Sequence, residues 1–523
     1  MEANYNGRLQ KKRINRFMTV IIVALVLLVG GSVAAFVLMD KSPKASYFLY
    51  ERNTMDMFSE QVESRYEPEL EWEEKSLENP IESNYELSAM VHAAIAAGNL
   101  PVTVDQVLNN SVLNVTSNVD RENKQFTAEM NGSFGNFEVG DVNVYLTSDN
   151  MMLGLPFLNE ILQLNGDDFG KLMQELQPEG YTGEEKIDFN MLFEGNVLSE
   201  DDLAYIEKEY MQSIYNALPE EAFEAVDETV RIGESDVTTE KITFHLTEDQ
   251  LKTLLTDTLT KMADDDKMKD IMLNAVLAHD YGPFVFGSNP NFGITNFETD
   301  YDTVLKDALA GINDIAIPNG FTSTIWVEDE LVVKRDLMID IGPTADQLTN
   351  LYVKGELEHD SAEQAFEYDF GMIDQGLEQT LSVDGTLSHK DGKIKDSITL
   401  AMDNTTLIYQ SNETLDNGKR DFERVFTLED GTGYTFDLTW SGNATYHDDQ
   451  MNSEHEFSVA NNNQDVISLY LDKNAKQTDS ITLPQEQLKD IGAMNAQEFR
   501  NYFESEVTPQ FEEWLMGIIG FGF

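Results

Sequence analysis

The sequence predicts an α+β protein: an N-terminal transmembrane helix, then two extracellular domains built on large curved antiparallel sheets with covering helices. Three observations indicate this fold class. An apolar run without a charged residue spans residues 17–39. Segments that alternate apolar and polar residues recur through most of the remaining chain, and segments with helical periodicity lie among the first of them. We therefore expect sheets with one buried face and helices packed on them.

The apolar run 17–39 is long enough to cross a membrane. As a helix it would reach about 34 Å, against about 30 Å for the hydrocarbon core of a bilayer. Basic residues precede it: Arg8, Lys11, Lys12, Arg13 and Arg16. The positive-inside rule then places residues 1–16 in the cytoplasm as a short basic tail and the bulk of the chain outside the cell. The alternative is a cleaved signal peptide, with Ser32-Val33-Ala34 as its cleavage site.

Charge and composition exclude several functions. The chain has 95 acidic and 35 basic residues, a formal net charge of −60. Such a charge repels nucleic acid and anionic headgroups, so no nucleic-acid partner is expected. The chain has no cysteine, which excludes disulfides, thiolate metal sites and a cysteine-linked lipid.

Residues 40–82 are predicted to form a stalk helix and linker. Apolar residues recur there at roughly helical spacing: Tyr47, Tyr50, Met57, Phe58 and Val62. Pro68 is expected to end this helix at or just before Glu67, because proline lacks a backbone donor and clashes with the preceding turn.

Residues 83–297 are predicted to form a first α+β domain, an antiparallel sheet plus helices. The predicted strands are 111–120, 125–134, 137–147, 151–158 and two within 228–246. The predicted helices are 168–176, 200–218, 250–262 and one from about 264 to 277; Ser199 is predicted to cap the second, and Thr247-Glu248-Asp249 opens the third. Residues 280–297 are rich in Gly, Pro and Asn and are predicted to form a loop or linker.

Residues 298–490 are predicted to form a second, mainly β domain, a long antiparallel meander after a helix at 300–315. Twelve strands are expected: 321–328, 331–341, 348–358, 363–372, 377–387, 393–402, 405–412, 419–428, 433–445, 454–460, 465–473 and 478–483. Turn sequences such as Asp416-Asn417-Gly418 separate them. Such a series fits one large curved sheet, a barrel or a sandwich. A C-terminal helix is expected within 491–523.

Chemical motifs are scarce. We find no nucleophile elbow, phosphate loop, dinucleotide fingerprint or HExxH sequence, so no catalytic residue, enzyme activity or cofactor is predicted. His447 and His455 flank a predicted hairpin turn with acidic neighbours and are candidate metal ligands across it. A polar turn in an acidic protein produces the same string by chance, so no metal site is assigned.

Two apolar groups are candidate contact sites. Leu203, Ile206, Tyr210 and Ile214 share one stripe of a predicted helix, where they are either a lid over an apolar ligand or ordinary core residues. The C-terminal segment contains a second group: Trp514, Leu515, Ile518, Phe521 and Phe523. This group either contacts the membrane or a partner, or packs its helix on the sheet.

Several segments resemble membrane-anchored envelope proteins of Bacillus-like Gram-positive bacteria. They are the basic tail and apolar run, Lys41-Ser42-Pro43-Lys44, Glu71-Trp72, Asn79-Pro80, residues 240–251 and residues 481–484. This resemblance covers most of the chain and implies no function. Separately, the order of meander, helices and strand–Thr-Glu–helix is similar to the open half-barrel of lipoprotein carriers. That second resemblance implies half-barrel-like sheets whose covering helices enclose acyl chains.

We therefore expect a single-pass cell-membrane protein that is extracellular beyond residue 39 and non-enzymatic. Its expected ligand is a lipid or another apolar envelope molecule, bound in a cavity between a sheet and its helices. The alternative is a structural or interaction module that contacts cell-wall polymer or another envelope protein. In both cases the membrane is a partner through residues 17–39.

Overall fold

The computed structural model describes residues 42–92, 104–135, 137–177, 181–184, 186–187, 189–193, 198–280, 297–360, 362–462, 464–485 and 487–520. The predicted membrane span, the basic tail and nearly all of the predicted loop 280–297 lie outside these residues. Within the described ranges, no helix combines the length and apolar character needed to cross a membrane.

The described residues form twenty strands, assigned to one sheet. They are β1 (Ile81–Val91), β2 (Val112–Asp120), β3 (Gln125–Phe134), β4 (Phe137–Thr147), β5 (Asn150–Gly154), β6 (Ile161–Asn165), β7 (Phe223–Ile232), β8 (Ser235–Leu246), β9 (Phe321–Glu328), β10 (Leu331–Thr344), β11 (Gln347–His359), β12 (Glu363–Asp374), β13 (Leu377–Lys390), β14 (Lys393–Met402), β15 (Thr405–Asp416), β16 (Lys419–Glu429), β17 (Thr435–Tyr446), β18 (Gln450–Asn461), β19 (Gln464–Gln477) and β20 (Leu488–Asp490).

The described helices lie before β1, between β1 and β2, between β6 and β7, between β8 and β9, and after β20. They are α1 (Pro43–Glu78), α2 (Val104–Leu108), α3 (Phe169–Leu176), α4 (Glu200–Ile206), α5 (Gln212–Ala217), α6 (Glu248–Ala263), α7 (Asp266–Asp280), α8 (Phe297–Gly311), α9 (Ala496–Tyr502) and α10 (Thr508–Gly520). A π-helical turn joins α4 to α5 at Glu207–Met211, and another joins α9 to α10 at Phe503–Val507.

The predicted fold class, with a separate sheet in each of two domains, was wrong. The structure assigns all twenty strands to a single sheet. Helices interrupt the sequence of strands without interrupting the hydrogen bonding. β8 pairs with β9 across α6, α7 and α8, and β1 pairs with β19 although hundreds of residues separate them. Periodicity reports which residues share a face, not which distant strand lies alongside, so the sequence did not reveal these pairings.

The chain divides into two compact units. Unit 1 comprises Met1–Arg65, Asn196–His389 and Asp396–Leu407, and unit 2 comprises Tyr66–Gly195, Lys390–Lys395 and Ile408–Phe523. In unit 1 the strands pair in the order β7–β8–β9–β10–β11–β12–β13, all antiparallel. In unit 2 an antiparallel ladder runs β16–β17–β18–β19–β1–β2–β3–β4–β5–β6, and β20 adds to β6 in parallel.

The core of unit 1 forms where the start of α1 packs on β7, β8 and β9. Tyr47 is fully buried, its ring lies 5.7 Å from those of Phe223 and Phe244, and its hydroxyl is 2.7 Å from the Ser323 Oγ. One turn later Glu51 accepts a hydrogen bond of 2.6 Å from Arg335. The residues predicted to form a stalk therefore belong, in this part, to the protein core.

Pro68 does not end α1. The backbone departs from helical geometry at Tyr66, with φ −115° and ψ 20°, and the helix then continues to Glu78. Pro68 thus lies in the first turn of a new helical segment, where its missing N–H would have no partner in any case. The proline produces a kink instead of the predicted stop.

Aromatic side chains lie over glycines on the neighbouring strand. In four directly opposed pairs, a Cβ built on the glycine would come within 3.1 Å of the aromatic ring: Gly355 with Tyr368, Gly371 with Tyr352, Gly385 with Phe366, and Gly442 with Phe422. Glycine at these positions lets the ring lie flat on the sheet.

Gly355→Ala should therefore destabilise the protein by about 1–3 kcal/mol, because the new methyl group would meet the half-buried Tyr368 ring 2.1 Å away. Urea denaturation of the full chain measures this loss. Gly517→Ala in α10 is the control, since nothing lies within 4 Å of its added Cβ. A Gly355→Ala protein as stable as Gly517→Ala would contradict the packing role.

Candidate apolar ligand-binding face

Five neighbouring strands of unit 2, β16–β17–β18–β19–β1, separate apolar from acidic residues. Directly opposite residues in an antiparallel pair point to the same face. One row across the strands is Phe422, Gly442, His455, Leu471 and Leu87. We call the face that carries this row the apolar face. Its apolar residues include Ile81, Leu87, Ala89, Val91, Phe422, Phe426, Leu428, Phe436, Leu438, Trp440, Met451, Phe457, Val459, Ile467, Leu469 and Leu471.

The opposite side of the same strands is the acidic face. All residues of these five strands are described, and every Asp and Glu among them lies on this face: Glu82, Glu86, Asp421, Glu423, Glu429, Asp437, Glu454, Glu456, Asp465 and Asp472. The alternation of apolar and acidic residues along these strands therefore leaves one surface of a strongly acidic protein without any of their carboxylates.

Helix α1 covers only one end of the apolar face. Trp72 packs there with Ile81, Met451 and Ala475. From the row of Leu87 to the other end of the strands, large apolar side chains are exposed: Leu87 to 37%, Leu428 to 40%, Phe436 to 36% and Leu469 to 47%. We call this part the open end. An exposed apolar patch that spans several strands is typical of an interaction site.

Aromatic rings form the middle of the apolar face. The Trp440 ring lies 5.4 Å from Phe422 and 5.5 Å from Phe457, with the His455 ring 5.9 Å away. The Trp440 Nε1–H donates to the His455 Nδ1 at 3.2 Å, and the His455 Nε2 lies 3.0 Å from the Ser453 Oγ. Burial lowers the pKa of His455, and the positive charges of Lys473 and Arg424 lower it further. The imidazole is therefore neutral at neutral pH, with Nδ1 as an acceptor.

A buried ion network fixes α1 to this face. Glu413 of β15 is 1% exposed and accepts from Arg420 at 2.5 Å and Arg424 at 2.6 Å. Arg420 also donates to Glu69 of α1 at 2.6 Å. Burial would raise the pKa of Glu413, but its bonds to Arg424 and Arg420 outweigh burial and lower the pKa. Two cations and two anions thus balance within the network.

The four predicted lid residues do not form one stripe. Leu203 is 52% exposed, whereas Tyr210 and Ile214 are buried in unit 1. The π-helical turn at Glu207–Met211 rotates the second half of the segment relative to the first, which breaks the predicted period. The Tyr210 hydroxyl donates to Asp265 at 2.6 Å. None of the four, Ile206 included, lines the cleft of about 390 Å³ that lies beside Leu218 and Leu254.

The two candidate metal ligands are apart. His447 lies in the turn between β17 and β18, whereas His455 lies within β18, opposite Gly442. β18 begins at Gln450, earlier than predicted, so only His447 belongs to the turn. His447 instead lines a cleft of about 300 Å³ with Trp72 and Tyr446. In the described part of the chain, no cluster of three or more His, Asp or Glu side chains could hold a metal ion.

The C-terminal helix α10 packs on the loop after β5. The Phe157 ring lies 5.3 Å from Phe511 and 5.5 Å from Trp514. Trp514 and Leu515 are half-buried. The side chain of Ile518, and Phe521 and Phe523 altogether, lie outside the described residues. The packing of α10 accounts for Trp514, and contact of this group with a membrane or partner stays a prediction.

The open end of the apolar face was not singled out in the sequence. Its strands were predicted, but strand β1 was not, and β1 supplies Leu87 and pairs with β19. A signal was present: in the strands on both sides of β1, apolar residues stand at every second position while the acidic residues fall between them. Only the registers align these alternations into a single face.

Comparison with known proteins gives no family. No protein-family model matches the chain, and no curated protein matches it. Solved structures with some likeness include OmpF of Salmonella typhi in complex with daunomycin, at 5% identity and a TM-score of 0.22, covering 77% of this chain and 99% of that one. Another is OccK3 (OpdO) of Pseudomonas aeruginosa, at 6% identity and a TM-score of 0.24, covering 76% and 94%. Scores this low carry no argument about fold or function.

Glu413→Gln should destabilise the protein by roughly 3–5 kcal/mol, because it leaves two buried arginines without their shared carboxylate. Chemical denaturation followed by tryptophan fluorescence measures the change. Glu423→Gln is the matched control: it lies on β16, exposed on the acidic face, and should change stability by less than about 0.5 kcal/mol.

The same pair of variants should differ in pH dependence. Because the pKa of Glu413 is lowered from the 4.5 of an unperturbed Glu, its stabilising contribution is complete above that value and is lost as the pH falls through the folded-state pKa. The wild type and Glu423→Gln should therefore lose stability in acid below about pH 4.5 more steeply than Glu413→Gln. If the stability of all three proteins fell equally steeply with decreasing pH, the stabilising role of the network would be contradicted.

Proposed function

We propose that this protein is a membrane-anchored, extracellular, non-enzymatic protein that binds an acyl chain or another apolar envelope ligand on the apolar face of unit 2. The observation that carries the proposal is the open end of that face. Leu87, Leu428, Phe436 and Leu469 are exposed on strands whose opposite side carries the carboxylates. Covering the open end with an acyl chain would stabilise the complex by about 0.8 kcal/mol for each methylene group that is buried.

The anchor supports a ligand that comes from the membrane. The apolar run 17–39 ends only a few residues before Pro43, where α1 begins. A helix that follows its membrane span so closely keeps the ectodomain beside the bilayer. A relationship to membrane-anchored envelope proteins of Gram-positive bacteria stays part of this proposal.

The ionised groups support a binding role over a catalytic one. The carboxylates with a lowered pKa have partners that favour the charged form, as Glu413 has in its arginines and Asp265 has in two tyrosine hydroxyls. Such groups stabilise a fold and are poor proton donors at neutral pH.

The acidic face favours the alternative function, an interaction module. Glu86, Asp472 and Glu454 lie directly opposite one another on β1, β19 and β18. Like charges in such a row repel, and a basic partner would relieve that repulsion. This alternative uses the other side of the same strands, so the two functions are separable by variants.

The test uses the full chain in phosphatidylcholine nanodiscs that contain a fatty acid with a photoreactive diazirine near its chain end. Cross-linked peptides are then mapped by mass spectrometry. We expect labelled peptides that contain Leu87, Phe436 or Leu469, in addition to residues 17–39. Labelling confined to residues 17–39 would contradict the proposed function.

Two variants assign the labelling to one face. Leu469→Glu should reduce labelling of the β19 and β17 peptides roughly fivefold or more, because it places a charge where the acyl chain of the fatty acid binds. Met90→Glu is the matched control, since Met90 is also 47% exposed but lies on the acidic side of the neighbouring strand. Equal losses in the two variants would show that the apolar face has no special role.

A further inference from the structure

One basic residue on the apolar face has no carboxylate partner among the described residues. Lys473 of β19 lies opposite Tyr85 of β1 and Ser453 of β18, so its side chain shares the face of Leu471 and Leu469. Its ammonium lies 5.5 Å from the centre of the Tyr85 ring. Among the residues that the structure describes, Lys473 takes part in no ion pair. In a chain with 95 acidic and 35 basic residues, a half-buried lysine without a carboxylate partner is unusual.

The other cations of this face are already compensated. Arg420 and Arg424 bond to Glu413, and Arg420 bonds to Glu69. Lys473 therefore supplies the remaining positive charge on the apolar side of these five strands. The lowered pKa of His455, caused by burial and then by Lys473 and Arg424, is consistent with a positive potential there.

Lys473 also lies at the boundary between the covered and open ends. On the covered side, Ala475 lies two residues after Lys473 in β19 and packs against Trp72. On the open side, Leu471 lies two residues before Lys473, and the exposed Leu469 lies two residues before Leu471. From Lys473 to Ile467, near the end of the strand, the apolar face runs for about 20 Å at about 3.3 Å per residue.

We infer that Lys473 binds the anionic headgroup, a carboxylate or phosphate, of a single-chain amphiphile whose acyl chain lies over the open end. This inference rests on the proposed function and adds the ligand's charge and orientation. An anion at Lys473 would form a charge-assisted hydrogen bond with the one lysine ammonium that these five strands place on the apolar side. The net charge of the whole chain opposes anion binding, but salt screens it beyond about 8 Å, whereas Lys473 would touch the headgroup.

The test compares ligands of equal chain length in the same nanodiscs. Unlabelled palmitic acid and hexadecanol compete with the photoreactive fatty acid for the peptides of the apolar face. Palmitic acid should compete roughly tenfold better, because only it gains a charge-assisted bond to Lys473. Palmitoyl lysophosphatidic acid, which has a phosphate headgroup, should compete as well as palmitic acid.

Variants locate the effect at Lys473. Lys473→Met keeps the apolar stem over Tyr85 and should reduce the preference for palmitic acid over hexadecanol to about onefold to twofold, while Lys473→Arg should retain it. Lys476→Met on the same strand is the control. Lys476 lies on the acidic face, paired with Glu82, and its loss should leave the preference unchanged.

The outcomes separate this inference from the proposed function. Equal competition by palmitic acid and hexadecanol in the wild type would overturn the inference and leave the apolar face as a ligand site. Competition by neither would overturn both. Displacement of the probe by inorganic phosphate alone would also overturn the inference, because Lys473 would then bind a free anion instead of a lipid headgroup.

Discussion

The bonds from Arg420 to Glu69 and Glu413 are the interaction on which the rest of unit 2 depends. They attach the second half of α1 to β15 and β16 through a network in which Arg420 and Glu413 are buried and Glu69 is a quarter exposed. A buried ion pair adds little net stability by itself, but it is costly to break and tolerates few alternative geometries. The network therefore fixes where α1 lies along the strands. The position of α1 in turn decides which part of the apolar face is covered by Trp72 and which part meets solvent.

The separation of charge across the sheet determines the chemistry of the part of the apolar face that α1 leaves uncovered. Period-two alternation places the carboxylates of β1 and β16–β19 on one side, while the arginines and Lys473 share the other side with the apolar residues. The carboxylates on the acidic side contribute to the net charge of −60. These five strands therefore contribute no carboxylate to the apolar side, where the carboxylates of Glu69 and Glu413 are paired with arginines.

The local structure followed from the sequence, and the long-range structure did not. The predicted strands 125–134, 137–147, 321–328 and 393–402 agree with β3, β4, β9 and β14 residue for residue, because alternation and turn residues are encoded locally. The predicted strand 478–483 is absent, since these described residues are not in a strand. The pairing of β1 with β19, the kink at Tyr66 and the π-helical turn after α4 depend on tertiary contacts and register that no local pattern specifies.

The same limit explains why the residues selected from the sequence are not those of the apolar face. Leu203, Tyr210 and His447 were selected from short windows, in which one helix face or one turn can be inferred. The open end combines β1 with β16–β19, and each strand contributes only two or three residues to it. Lys473 alone looks like one more surface lysine in the sequence. Its environment becomes informative only when the registers place Tyr85, Ser453 and His455 beside it and put Asp472 on the opposite side. The proposed binding site, assembled from rows across strands, is thus specified by pairing, and pairing is what the sequence pattern leaves open.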